Sequence, residues 1–357
     1  MLGLEIGNFS ESNNKELLAY TNTGKVLIFS LNGELLFKDE LIQNQPIWKV
    51  ILNDINKDSK KELIIGGMDG LLRIFHLDPS LILKPLWAHQ FGSSISGILI
   101  NDINNDDDLE IIAFSLDKSL RILNSVNGKL IWGQIFAEGI EDASIWEDPN
   151  NYKKHICACG NDGTIRVFQG RSGELLWYKR FTDKIRSIDH LNSKRGILIV
   201  CGGDDRKAHF VNINTKEEIK TIEFNDYVWK ILSFPSNIKN NVLIYSYSFA
   251  FFDDSIPIND IHFTSKLICI DDKLNLNWEI QNKNVETMNR IRINQNNFIA
   301  FGTTKGELII IDEKCGESLL NLNISSSVND IKYESKSNLL ISCHDNGTIN
   351  AFFIEES

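Results

Sequence analysis

Two stretches of the chain set oxygen side chains at alternate positions of a loop: Asp54, Asn56, Asp58 and Glu62, then Asp102, Asn104, Asp106 and Glu110. Ca²⁺ takes six to eight oxygens, and carboxylates and amides at positions one, three, five and nine of a loop, with a backbone carbonyl at position seven, can wrap that ion. The carbonyls of Lys60 and Asp108 would complete the two sets. An EF-hand is excluded, because position twelve is Ile65 or Ala113 and position six is Ser59 or Asp107 instead of Gly. Lys57, Lys60 and Lys61 crowd the first loop, so the second, richer in carboxylates, is the better cage. The same residue types also suit Asx turns, in which short side chains accept backbone N–H groups of their own loop. Both readings stand at the level of sequence.

Other chemistries find no support. The seven histidines are scattered, and no HExxH, GxSxG or Gly-rich phosphate loop occurs. The six cysteines, Cys157, Cys159, Cys201, Cys269, Cys315 and Cys343, form no CxxC pair, and most sit in apolar runs as small buried hydrophobes would. The expectation is a protein that is no enzyme and needs no cofactor, Ca²⁺ being the one candidate exception.

Composition narrows the partners. The chain has 357 residues, 42% of them apolar, which is ample for a buried core. Its net charge of -11, with no run of Lys and Arg, opposes binding to nucleic acid or anionic lipid. No apolar run approaches a spanning helix and the N-terminus lacks the pattern of a signal peptide. A cytoplasmic protein without membrane insertion is expected.

The two acidic loops belong to a repeat that spans the chain. Eight units start near residues 1, 47, 95, 140, 185, 228, 288 and 328, each with short apolar runs separated by polar turns. Second runs such as "ELIIGG" and "EIIAFS" suit strands covered on both faces. Turn pairs such as Asp69-Gly70, Asp162-Gly163 and Asn346-Gly347 predict type I′ hairpins, and Asp204-Asp205 falls in the same column. Fourth runs end in "GKLIW" at Trp132 and "GELLW" at Trp177, with Phe37, Trp87, Trp278 and Leu320 in that column. Four short antiparallel strands per 40 to 50 residues are the signature of a β-propeller blade.

The D-x-N-x-D-x-x-x-E loop resembles the FG-GAP repeat of integrin-α-type propellers. The "GKLIW" and "GELLW" runs resemble the fourth-strand repeat of PQQ-like (quinoprotein-type) propellers, and "DGTIRVF" is distantly similar to WD repeats. No one family's motif set is complete, so the resemblance implies architecture more than activity. The fold expected is all-β, a single eight-bladed propeller over residues 1–357 with four-stranded antiparallel blades and a three-stranded last blade; seven blades is the alternative.

On the face carrying the turns between second and third strands, the second residues of the first strands include Trp48, Arg186 and Trp229, with Lys49, Lys230 and Arg290 next in the column. Trp and Arg are favoured anchors of protein contacts. An 18-residue apolar insertion in unit six, holding Phe251, Phe252 and Ile256, falls on the same face. The function expected is an intracellular protein-interaction scaffold that binds a protein partner there. A Ca²⁺-dependent or small-ligand-binding propeller, lectin-like or a sensor, is the alternative.

Overall fold

A computed structural model describes residues 1–10, 14–234, 240–248 and 264–355. Their regular structure is entirely β: 31 strands in eight antiparallel sheets, each built in simple chain order. Seven sheets have four strands and the eighth has three, the architecture of an eight-bladed β-propeller. The seven-sheet alternative is thereby set aside.

The chain divides into two compact units, Met1–Ile140 with Ser326–Ser357, and Glu141–Ser325. The first unit holds sheets one, two, three and eight; the second holds sheets four to seven. First strands run Gly3–Gly7, Ile47–Asn53, Ile95–Asn101, Ile140–Glu147, Ile185–Ser193, Tyr227–Phe234, Val285–Ile293 and Val328–Glu334. The seventh therefore begins three residues before the expected Met288. A β-bulge between its Val285 and Thr287 matches the bulges after Ile47, Ile185, Val228 and Val328, which makes Val285 the first position of its register.

Second strands are the centres of their sheets. "ELIIGG" of Glu62–Gly67 and "EIIAFS" of Glu110–Ser115 are buried at every residue, as apolar runs without alternation require. In the first unit, Leu18, Val26, Ile28 and Val50 pack with Leu63 and Ile65 between sheets one and two. In the second, Leu198, Val200 and Phe210 pack with Val228, Ile231 and Ile244 between sheets five and six.

The hairpins between second and third strands differ from type I′. Gly24, Gly70, Gly163, Gly306 and Gly347 have positive φ, but the residue before each does not. Each of these Gly N–H groups donates to the carbonyl three residues back, which is a type I turn closed by a left-handed residue. In the fifth sheet Arg206 takes that position, with φ 61°. Asp is selected for another reason: Asp69, Asp117, Asp162 and Asp205 accept the N–H two residues on. Their carboxylates also bind the side chain four residues on, Arg73, Arg121, Arg166 and His209 respectively.

Candidate functional site

The acidic loops are built around a buried glutamate. Glu62 opens the second strand of its sheet fully buried, and its Oε2 accepts the Ile55 N–H at 3.1 Å. Glu110 accepts the Ile103 N–H at 2.9 Å, and Glu16 accepts those of Phe9 and Ser10. The apolar loop residue Phe9, Ile55 or Ile103 is buried in each case, so the glutamate ties the loop down over the sheet.

The remaining oxygens turn toward backbone amides. Asp54 accepts from the N–H groups of Asp58 and Ser59, and Asp102 from those of Asp106 and Asp107, at 2.9–3.2 Å. Asp58 and Asp106 accept from Lys60 and Asp108, while the Asn56 and Asn104 amides reach Glu62 and Glu110. Ser59 and Asp107, at the position where a Gly would sit, have φ 67° and 71°. Asx capping offsets that backbone strain. Among the described residues no group of three or more His, Cys, Asp or Glu side chains is placed to hold a metal. Burial, followed by the charges of Asp106, Asp102 and Asp108, pushes the Glu110 carboxyl up to about 7, even against its bond from Ile103.

The anchors proposed for a partner divide between the two units. In the first, Trp48 is 44% exposed with Lys49 half-buried beside it, and two further large apolar side chains on the same face are exposed, Met68 at 53% and Leu116 at 41%. Met68 opens the turn beside Trp48, its N–H bonded to the Pro46 carbonyl, and Leu116 opens the corresponding turn of the third sheet. Met68 and Leu116 carry no repeat signature, and only their turn position could have marked them.

In the second unit the predicted residues serve internal contacts. The Arg186 guanidinium lies 5.1 Å from the Trp229 ring centroid and grips both oxygens of Asp204. Trp229 is 5.2 Å from the Tyr247 ring and packs on the core of sheets six and seven. Arg290 falls outside the column, because the register begins at Val285; it binds Glu313 through two hydrogen bonds of 2.9 and 3.0 Å. Phe251, Phe252 and Ile256 lie outside the described residues.

Lys230 belongs to a network that sequence reasoning missed. Its ammonium is 2.6 Å from Asp142, whose Oδ2 also accepts from Ser187 Oγ at 2.7 Å and from the Ile188 N–H at 3.3 Å. Ser187 in turn accepts the Ile231 N–H at 3.1 Å. In register terms, the third residue of one first strand accepts from the fourth residue of the next. Burial alone would lower the Lys230 pKa, but Asp142 reverses the sign and the net shift is upward. Two residues further on, Asp189 accepts from Ser144 Oγ and the Ser233 N–H at 2.8 and 2.7 Å. The first unit repeats the device, Asp330 Oδ2 accepting the Leu4 N–H at 2.9 Å, with Lys332 within 3.3 Å of Glu5.

The fold has solved counterparts. The computationally designed Ika8 protein superposes with a TM-score of 0.73 at 14% identity, covering 99% of this chain and 96% of that one. Sqt1 of Saccharomyces cerevisiae gives 0.73 at 10% identity, covering 99% of both chains. BamB of Moraxella catarrhalis gives 0.62 at 13%, covering 99% and 94%. No family model matches the chain, and no curated protein does. At such identities the likeness carries the architecture alone.

Proposed function

We propose that the protein is a non-enzymatic interaction module that binds a protein partner through the turn-bearing face of its first unit. The observation that carries this reading is Trp48, exposed at 44% with Met68 and Leu116 exposed on the same face. Exposed Trp and Met side chains are favoured contact residues, because they bring large apolar area with few frozen torsions. The groups with displaced pKa values support a structural role for the polar interior: Glu62, Glu110, Asp189 and Lys230 each hold a loop or a neighbouring strand. All six cysteines are free thiols, five of them buried, which favours a reducing cytoplasmic setting. No helix among the described residues is long and apolar enough to cross a membrane.

The test is affinity purification with mass spectrometry on the wild type and a Trp48→Ala/Met68→Ser variant. Loss of a defined partner from the variant, with its melting temperature unchanged, supports the reading. Recovery of the same partners from both would remove this face from consideration.

A further inference from the structure

In seven sheets the third strand is covered on its outer side by a fourth, and the pairing follows one rule. Phe37, Trp87, Trp132, Trp177, Lys220, Trp278 and Leu320 pair with Ile28, Ile74, Ile122, Val167, Phe210, Cys269 and Ile310, and a β-bulge follows each pair. Where this residue is Trp87 or Trp278, its indole reaches into the next sheet. Trp87 Nε1 donates to the Ser125 carbonyl and Trp278 Nε1 to the Glu313 carbonyl, both at 2.9 Å. Each ring lies against a glycine of that loop, where a Cβ on Gly128 or Gly316 would come within 2.5 or 2.8 Å of it.

Among the described residues the eighth sheet has no fourth strand on its outer side. Its third strand, Ile349–Phe353, has a single neighbour among the described residues and no buried residue, whereas every other third strand buries at least two. Ile341 pairs with Ala351, so Ala351 holds the place that Ile74 and Cys269 hold beside their tryptophans. On the inner side His344 N–H bonds Thr348 O and Ile354 N–H bonds Asn338 O. The alternation of an antiparallel ladder therefore directs the backbone groups of Ile349, Ala351 and Phe353 outward.

A cleft of about 310 Å³ adjoins this edge, lined by Ile349, Ala351, Ile341, Leu17, Phe29 and Gly33 among others. Gly33 closes the corresponding loop of sheet one, one residue shorter than those of Gly128 and Gly316: its N–H bonds the carbonyl of Ser30, three residues back, where theirs bond the carbonyls of Asn124 and Asp312, four residues back. A Cβ at Gly33 would meet no atom within 4 Å.

We infer that the eighth sheet accepts an extended segment of a partner protein as its fourth strand, with a tryptophan of that segment seated in the cleft between Ala351 and Gly33. Edge addition draws affinity from main-chain hydrogen bonds and specificity from a side-chain pocket, and this edge supplies both. The protein's own sheets specify the occupant: an antiparallel strand with an aromatic residue opposite Ala351, of the type "GELLW". This surface is separate from the Trp48 face, so the two proposals fail independently.

The probe is a fluorescein-labelled synthetic peptide of the protein's own fourth-strand sequence, Gly173–Phe181, read by anisotropy against the full chain. Saturable binding is expected, weakened about tenfold or more by Trp→Ala in the peptide or Ala351→Arg in the protein. Trp48→Ala should leave it unchanged. Ala351 is exposed, so the Arg variant should keep its fold, and an unchanged melting temperature verifies this. Absence of saturable binding at about millimolar peptide, or equal binding by the Trp→Ala peptide, overturns the inference. Dimerisation of the protein that Ala351→Arg abolishes would also overturn it, by assigning the edge to a second copy.

Discussion

Asp330 accepts the backbone N–H of Leu4 at 2.9 Å, a bond across 326 residues of sequence that ties the eighth sheet to the first. Asp330→Ala leaves that amide without its partner and should destabilise the fold by about 1–3 kcal/mol. Asp330→Asn, which keeps an acceptor, should recover most of it. Urea unfolding of the three proteins checks the order.

The two tryptophans of the first-strand column, Trp48 and Trp229, should separate cleanly. Trp229 is packed on Tyr247 and under Arg186, so Trp229→Ala should lose about 2–3 kcal/mol. Trp48, at 44% exposure, should lose less than about 1 kcal/mol. Melting temperatures distinguish them; equal losses would mean that Trp48 is a structural residue.

His209 stands where sheets two, three and four carry Arg73, Arg121 and Arg166, held between Asp205 at 2.8 Å and Glu218 at 2.7 Å. Burial opposes its charge, yet the hydrogen bonds and charges of the two carboxylates raise its pKa. A raised histidine pKa adds stability that is complete below about 6.5 and lost as pH rises through the folded value. The wild type should therefore lose melting temperature through this group as pH rises above about 6.5. His209→Arg should remove that slope, and a slope of the same size in the variant would assign it elsewhere.

Glu110 loses stability in the same direction as His209, the reverse of the usual carboxylate. Its carboxyl, raised to about 7, binds a proton in the folded state that the unfolded chain releases near 4.5. The stability it contributes is present below 4.5 and falls as pH rises toward 7, by at most about 1.4 kcal/mol per pH unit. Glu110→Gln keeps an acceptor for Ile103 and should flatten that part of the profile. Chemical denaturation at pH 5, 6 and 7.5 measures the difference.

The repeat was legible because apolar runs recur in every unit and a two-residue turn holding Asp, Asn or Gly in all but the sixth, and eight sheets follow from them. The seventh register was not, since Val285-Glu286-Thr287 offers a single apolar residue before the bulge and Met288 begins the clearer pattern. Turn chemistry was misjudged for a physical reason: one Gly with positive φ suffices for a bulged type I turn, and the Asp beside it serves as an Asx cap. The acidic loops were found by spacing, but spacing cannot tell an oxygen aimed at a cation from one aimed at an amide. Asp142, Ser187 and Asp330 carry no local signature. Their role appears only when one first strand lies beside the next.

With the first sheet counted as the one that follows the eighth, the bonds through Asp142, Ser187 and Asp330 all run with one polarity, acceptor on one sheet and donor on the next. Each is thus a head-to-tail, heterologous contact, in which the two partners present different surfaces. Such a contact puts no symmetry demand on any one sheet. Stability then approximates a sum of nearest-neighbour terms, and a repeat could be duplicated or exchanged wherever its two flanking contacts are kept.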